Sequence, residues 1–296
     1  MDTPRSIVVT GATGFTGPFV VRELSHRFPA ARLRCFVRRG SPRGRLDGVC
    51  VQFAEGDLHD SDSVAAALEG ADTLVNIASL GFGWVDSLFA AIRRSALSRG
   101  VFVSTTALLT RLPVKSRPLR ERGEQMVRES GLAWTIVRPT MIYGTAEDRN
   151  IARLIRFVRR SPVVPVIAPD ALQQPVHVED VAWAIGACLA APRTINGTYN
   201  LSGRDPLTFE SLVRETVRAS GRRCAIVRLP FTPVLAAVRL YNAVASTPRI
   251  SVEQVLRLKE DKAFDHTAAR TDFGFSPRSF ADGVREEVRM MTNPPR

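Results

Sequence analysis

Lysine is nearly missing from this 296-residue sequence: Lys115, Lys259 and Lys262 are all it has, and the net charge of +12 rests almost wholly on arginine. A basic balance of this kind favours anionic partners, which could be nucleic acid, an anionic membrane face or phosphorylated small molecules. A solvated, arginine-rich surface is the second reading. Cysteine is scarce as well. Cys35, Cys50, Cys188 and Cys224 form no Cys-x-x-Cys pair, so neither a disulfide framework nor a cysteine-based metal site is expected, and no other metal site is either. Each lies in an apolar stretch, which predicts buried free thiols in a reducing, cytoplasmic setting. No apolar run approaches the roughly 20 residues needed to span a bilayer. Met1–Arg5 is polar and Ile7–Val9 is too short for a signal core, so no leader is expected. Tyrosine occurs only at Tyr143, Tyr199 and Tyr241, which leaves few candidates for phenolic acid–base chemistry.

Hydrophobic residues are plentiful, at 45% of the chain, enough for a large core. In the first half, short apolar runs alternate with helical patterns. Strands are expected at 6–10, 33–38, 49–53, 73–77, 101–104 and 133–138. Helices are expected at 15–26, 61–69, 84–98 and 120–130, with Ser61 as a cap. This is the pattern of a parallel sheet covered on both faces. The second half is less regular. Helices are expected at 148–160, 179–190, 208–219, 233–245, 251–259 and 280–291, with short strands at 163–167, 175–178 and 198–201. The expected fold is a doubly wound α/β Rossmann sheet over residues 1–145 and a smaller lobe over 146–296. About 175–202 of that lobe would return to the sheet.

The first strand runs directly into Gly11-Ala12-Thr13-Gly14-Phe15-Thr16-Gly17, which opens a helix. A dinucleotide pyrophosphate needs backbone N–H donors at a helix start and room for close approach. Here Gly11 would allow the tight turn, Gly14 the approach and Gly17 close packing. No Gly-Lys-Ser/Thr follows, so a P-loop is excluded. An NAD site would place an acid at the end of the second strand. This chain has Arg38-Arg39 there, whose charge and forked donors suit a 2′-phosphate. NADP(H) is therefore favoured, with NAD(H) as the alternative.

The stretch Thr10–Gly17 resembles the opening of the extended and atypical short-chain dehydrogenases, the NAD-dependent epimerase/dehydratase group. Gly56-Asp57-Leu58 resembles its adenine-contacting segment, and Asn76-Ile77-Ala78-Ser79 its fourth-strand end beside ribose. Ser104-Thr105-Thr106 resembles its Ser/Thr-rich fifth-strand end. Arg138-Pro139-Thr140-Met141-Ile142-Tyr143-Gly144 is similar to the R-P-x-x-x-Y-G segment that wraps the nicotinamide, and Pro175–Ala182 to its H-V-x-D-V-A signature. The resemblance implies hydride transfer on a nucleotide-sugar-like substrate, by an epimerase or reductase. It also implies a Tyr-x-x-x-Lys pair, and here the chain departs. Counting back from Glu124, the lysine position holds Arg120 and the tyrosine position Ser116. Arginine cannot exchange protons near neutrality, and an unassisted serine is a poor acid. Thr106 matches the Ser/Thr position. Arg120 and Tyr143 complete the catalytic candidates, with Lys115 and His177 as substitutes. Without the usual pair, a catalytically silent dinucleotide-binding protein is the competing reading. An adenosyl-dependent methyltransferase would leave Arg38 and 138–144 unexplained.

Two later stretches are apolar and basic together. Ile151, Leu154, Ile155 and Val158 form one helical stripe among arginines, and 229–244 is apolar apart from Arg239. These are either lobe core or a surface for anionic lipid, a peripheral membrane contact. No nucleic-acid motif or basic–aromatic ladder accompanies the charge, so nucleic acid is not an expected partner. Homodimerisation is left open.

Overall fold

The computed structural model describes residues 3–112, 116–245, 247 and 250–292. In chain order, the first half runs β1 (Ser6–Thr10), α1 (Gly17–Arg27), β2 (Arg32–Val37), β3 (Gln52–Glu55), α2 (Ser61–Leu68), β4 (Thr73–Asn76), α3 (Val85–Arg93), β5 (Arg99–Val103), α4 (Arg117–Arg128) and β6 (Ala133–Pro139). The second half begins with β7 (Ile142–Tyr143), α5 (Ile151–Arg160), β8 (Val163–Ile167), β9 (Leu172–Gln173), β10 (Val176–His177), α6 (Val178–Ala190) and β11 (Gly197–Leu201). It closes with β12 (Leu207–Thr208), α7 (Phe209–Ala219), β13 (Ala225–Leu229), α8 (Phe231–Val244), α9 (Val252–Leu256), α10 (Thr267–Phe273) and α11 (Phe280–Thr292).

A seven-stranded sheet in the order β11-β6-β5-β4-β1-β2-β3 organises these elements, and every pairing within it is parallel. The period-two alternation of strands divides its apolar residues between two faces. Ile7 and Val9 pack with Val20, Leu24, Val181 and Ile185 of α1 and α6. Val8, Leu74 and Phe102 pack with Val64, Leu88, Phe89 and Val127 of α2, α3 and α4. This is the expected doubly wound Rossmann sheet. The chain reverses its winding direction between β1 and β4, and in such sheets the crevice at that switch point is where ligands bind.

Local chemistry explains where the sequence boundaries slip. The strand expected at 49–53 begins at Gln52, because Val49 still closes a turn onto the Leu46 carbonyl. Helix α3 stops at Arg93 rather than 98, where Ser95 Oγ donates to the Ile92 carbonyl at 2.7 Å and competes with the helix. Asp60, not Ser61, caps α2. The helix expected from 148 starts at Ile151, because the Asp148 carboxylate takes the Asn150 and Ala152 N–H groups instead. His177 caps α6, its ring accepting from the Glu179 N–H. Cys35 and Cys188 are buried as expected, but Cys50 is exposed in the loop before β3 and Cys224 is half-buried.

Outside the sheet, the α5 stripe is core: Ile151, Ile155 and Val158 are fully buried or nearly so. Helix α11 closes the layer behind β7 and β10. Tyr143 packs between His177 and Phe280, and Gly283 leaves room for the Tyr143 hydroxyl, which a Cβ there would meet at 2.1 Å. Burial, and then Arg278, pushes the His177 pKa down to about 3, so its ring is neutral. Arg278 also binds Glu179, Asp180 and Glu286. The grouping of His177, Glu179 and Glu286 is thus built around a guanidinium.

On the same helix, Glu287 is completely buried, and its carboxyl meets the Asp148 side chain and the Gly144 backbone. Burial, and then the neighbouring Asp148, pushes its pKa up to about 10. The folded protein therefore holds a proton that the unfolded chain releases above its ordinary glutamate value, and stability falls as pH rises between the two. Glu287→Gln is expected to raise stability at neutral pH by about 2 kcal/mol. Denaturant unfolding at pH 5 and pH 8 checks this, because the gain should be larger at pH 8.

Candidate functional site

The carboxyl ends of β1 and β4 are pinned together by their own side chains. Thr10 Oγ1 donates to Asn76 Oδ1 at 2.7 Å, and Asn76 Nδ2 donates to the Ala78 carbonyl at 2.8 Å. The glycine loop is pressed into the gap. Gly11 has φ +73°, and a Cβ there would lie 2.8 Å from the Ala78 nitrogen. At Gly17 a Cβ would meet the Ala12 carbonyl at 2.2 Å. Only glycine satisfies both positions. Thr16 precedes α1 without a side-chain cap, so the first N–H groups of the helix remain open to an external acceptor. A cavity of about 480 Å³ adjoins the loop, and Thr13, Phe15 and Ile142 share its wall with Arg45 and Arg149. Free donors, a helix start and an adjoining cavity fit a dinucleotide pyrophosphate.

At the outer end, Arg38 and Arg39 follow β2 and are exposed. Glu55 on β3 stands beside them, with its carboxylate 3.9 Å from Arg39 Nε, and it also binds Arg43. Asp57 is exposed and fixes its own turn by accepting from the His59 N–H at 2.9 Å. Leu58 is half-buried and packs on the cluster beneath α2.

At the inner end, Ile77, Ser79, Thr105 and Arg120 line a small cavity of about 130 Å³. The Arg120 side chain lies against Gly81, where a Cβ would come within 2.8 Å of its Cγ and Nε. Its Nε is buried without a protein partner. Burial, and then Arg257, lowers the Arg120 pKa. Thr105 also faces a larger cleft of about 490 Å³, shared with Thr106, Met141, Gln174, Arg257 and Lys262. Thr106 is buried, with Oγ1 donating to the Pro139 carbonyl at 3.3 Å. Tyr143 stands apart from these residues. It is 1% exposed, burial raises its pKa, and it is absent from the cleft wall. It packs instead against His177 and Phe280. His177 shares that closed layer. Ser116 sits at the start of α4, and Lys115 lies outside the described residues.

Sequence reasoning missed the far wall of the cleft. Glu260 reaches across to the residues just after the 106–109 turn, accepting from the Arg111 N–H at 2.6 Å and from Thr110 Oγ1. Burial works to raise its pKa, but these donors hold it below the usual carboxylate range. Lys262 donates to the Arg257 carbonyl at 2.9 Å, and burial lowers its pKa. The available signal was the charged run Lys259–Lys262, which carries two of the three lysines.

A buried carboxylate joins the site's elements. Glu124 of α4 is 2% exposed. It accepts from Ser104 Oγ at 2.6 Å, from Arg138 Nε at 2.8 Å and from Arg128 Nη2 at 2.9 Å. Burial opposes its charge, yet the hydrogen bonds from Arg138 and Ser104 hold its pKa below the ordinary value.

Residues 11–192 match the model of a family described as NAD(P)H-binding. The chain belongs to this family. It is 29% identical to a ceramide reductase of Caulobacter vibrioides, covering 96% of this chain and 90% of that protein. It is 23% identical to a 2-alkyl-3-oxoalkanoate reductase of Shewanella oneidensis, covering 90% and 81%. The UDP-glucose 4-epimerase of Thermus thermophilus, solved with NAD, superposes with a TM-score of 0.73 at 18% identity, over 98% of this chain and 100% of that one. That likeness shows a shared fold, the one expected from the epimerase/dehydratase motifs.

Glu124→Gln removes the charge that Arg138 and Arg128 neutralise. It is expected to destabilise the protein by about 3 kcal/mol at pH 7. Because the folded pKa is depressed, the wild-type advantage is present above the ordinary glutamate value and is lost as pH falls through the folded one. Denaturant unfolding of both proteins from pH 7 down to pH 3 should show the gap closing.

Proposed function

We propose that the protein is an NADP(H)-dependent reductase that delivers hydride to a carbonyl held in the cleft beside Thr106. The observation that carries this reading is the continuity of the site through Thr105, which lines both the Arg120 cavity and the larger cleft. A reacting carbon in the cleft would then adjoin a cofactor lying along the glycine loop. When bound, the dinucleotide supplies the hydride. Gly11, Thr13, Gly14, Phe15, Thr16 and Gly17 would hold its pyrophosphate. Asp57 and Leu58 would face the adenine, and Ile77, Ala78 and Ser79 the ribose. Pro139, Met141 and Ile142 would bound the nicotinamide. Arg120 would fill the unmet bonding capacity of its Nε with a ribose or phosphate oxygen. Thr106 Oγ1 would turn from the Pro139 carbonyl to the substrate oxygen and donate to it as charge develops there, and water entering the cleft would supply the proton that completes the alcohol. Arg38 and Arg39 would bind the 2′-phosphate.

Two substrate classes compete. The nucleotide sugar expected from the motifs is favoured by Arg257 and Lys262, which could hold a diphosphate. A carbonyl on an alkyl chain is favoured by the apolar Met141, Leu258 and Phe264 in the same wall, and by relatives named for ceramide and for 2-alkyl-3-oxoalkanoates. We favour the alkyl-bearing carbonyl, because both named relatives are reductases and together they cover most of the chain.

The purified protein with NADPH should oxidise the cofactor in the presence of long-chain 3-oxo compounds and not in the presence of UDP- or GDP-sugars. The reverse pattern would assign the sugar. Tight cofactor binding with no turnover across both panels would favour the catalytically silent reading. Thr106→Val is expected to lower kcat about a hundredfold with KM nearly unchanged. Replacing Arg38 and Arg39 by alanine should weaken NADP(H) binding by about tenfold to a hundredfold in a fluorescence titration. NAD(H) binding should hardly change, and equal losses for the two would remove the case for the phosphorylated dinucleotide.

A further inference from the structure

Helix α8 turns an apolar face outward. None of its fourteen residues is buried. Phe231, Val234, Leu235 and Val238 form a half-buried stripe. The other stripe is Pro233, Ala236, Ala237, Leu240, Tyr241 and Val244, all exposed. Leu240 and Val244 are 67% and 76% exposed. These six recur at the i, i+3, i+4, i+7 spacing of one helical face, where a helix on a globular core carries polar residues. The apolar surface extends beyond the helix. Asn242 Nδ2 holds the Ile250 carbonyl at 2.8 Å, and Ile250 is itself 50% exposed. The expectation that 229–244 forms lobe core is therefore not met on this face, although it is met by the α5 stripe.

Charge indicates what covers it. No aspartate or glutamate occurs between Glu215 and Glu253, a span that contains six arginines: Arg218, Arg222, Arg223, Arg228, Arg239 and Arg249. Arg218 and Arg228 are neutralised by Glu215 and Glu210. Arg222 and Arg223 are exposed in the turn before β13, and Arg239 is exposed on α8 itself. Lys259 adds a cation 5.0 Å over the Phe231 ring. An exposed apolar stripe on a stretch of chain that carries arginines and no acidic residue matches an anionic bilayer surface. A second copy of the chain, also at +12, would bring like charge against like.

We propose that α8 is a membrane-docking helix that lays its Pro233–Val244 face on an anionic lipid bilayer. It would lie in the interface, since among the described residues no helix is long and apolar enough to cross a membrane. A cavity of about 590 Å³ at the amino end of α8, lined by Ala168–Ala171 and Leu229–Phe231, shares Asp261 with the Thr106 cleft. Docking would bring that entrance to the bilayer. The proposal stands whether or not the cleft reduces a carbonyl.

The test is co-sedimentation of the full chain with phosphatidylcholine vesicles, with and without phosphatidylglycerol, at low and physiological salt. The expected result is binding to the phosphatidylglycerol vesicles that weakens as salt rises. Leu240→Glu with Val244→Glu should cut that binding about tenfold or more, with the thermal midpoint unchanged. Arg222→Ala with Arg223→Ala should weaken binding and flatten its salt dependence. No binding to phosphatidylglycerol vesicles would overturn the proposal, as would equal binding by the Leu240/Val244 variant. So would a dimer seen by light scattering that the same variant abolishes, because the face would then be a self-association surface.

Discussion

The Glu124 carboxylate is the constraint on which the site depends. Its partners come from the ends of three elements: Ser104 just beyond β5, Arg138 in β6 and Arg128 in α4. Thr105 and Thr106 follow Ser104, Pro139 to Ile142 follow Arg138, and Arg120 lies one helical turn before Glu124. One buried charge therefore sets the relative positions of the residues proposed to meet ribose, nicotinamide and substrate. A carboxylate in this environment is costly unless each oxygen is satisfied, and here the donors exceed what a single pair could offer. The arginine of the R-P-x-x-x-Y-G segment accordingly works through Glu124 as an anchor for the loop after it.

A second tie joins the sheet to its far edge. Arg99 of β5 is buried and has no carboxylate partner. Its guanidinium donates instead to the Ala133 and Cys188 carbonyls at 2.6 and 3.0 Å and to Thr135 Oγ1 at 2.7 Å. Burial pushes its pKa down to about 10, still far enough above neutrality for the charge to persist. Through it α6 is held against β5 and β6, and β11 extends the sheet beside β6. Residues from the second half of the chain are thus built into the layer that carries the glycine loop.

The parts of this arrangement that were legible in the sequence are those governed by local rules. The alternation Ile7-Val8-Val9 assigns each residue to a face before any contact is known. Gly11 and Gly17 announce a loop that only glycine can form. Thr208 caps α7 as its position suggests. What stayed hidden depends on distant partners. Nothing local says that Glu260 will reach Arg111, 149 positions earlier, or that Lys262 will face Thr106 across a cleft. Tyr143 looked available because it closes a motif, but its burial is decided by Gly283 and Phe280 from α11. The exposure of the α8 stripe was likewise unreadable, because an apolar helical period is the same whether a core or a lipid surface covers it.

These observations change where acid–base chemistry has to be sought. The sequence resemblance puts Ser116 and Arg120 where the usual proton-handling pair is expected, and Tyr143 is buried away from the cleft wall. The wall that carries Thr106 then offers a hydrogen-bond donor but no group that titrates near neutrality. The opposite wall carries charged side chains, Arg257, Glu260, Asp261 and Lys262. Glu260 clamps the 257–262 segment onto the turn after β5, so the titratable groups of that segment stay fixed relative to Thr106 without belonging to the sheet. Burial has already weakened the hold of Lys262 on its proton. A cleft assembled in this way joins a rigid sheet edge, proposed to orient a carbonyl, to a clamped second-half segment that supplies charge. The cofactor loop can then follow the family pattern while the substrate side departs from it.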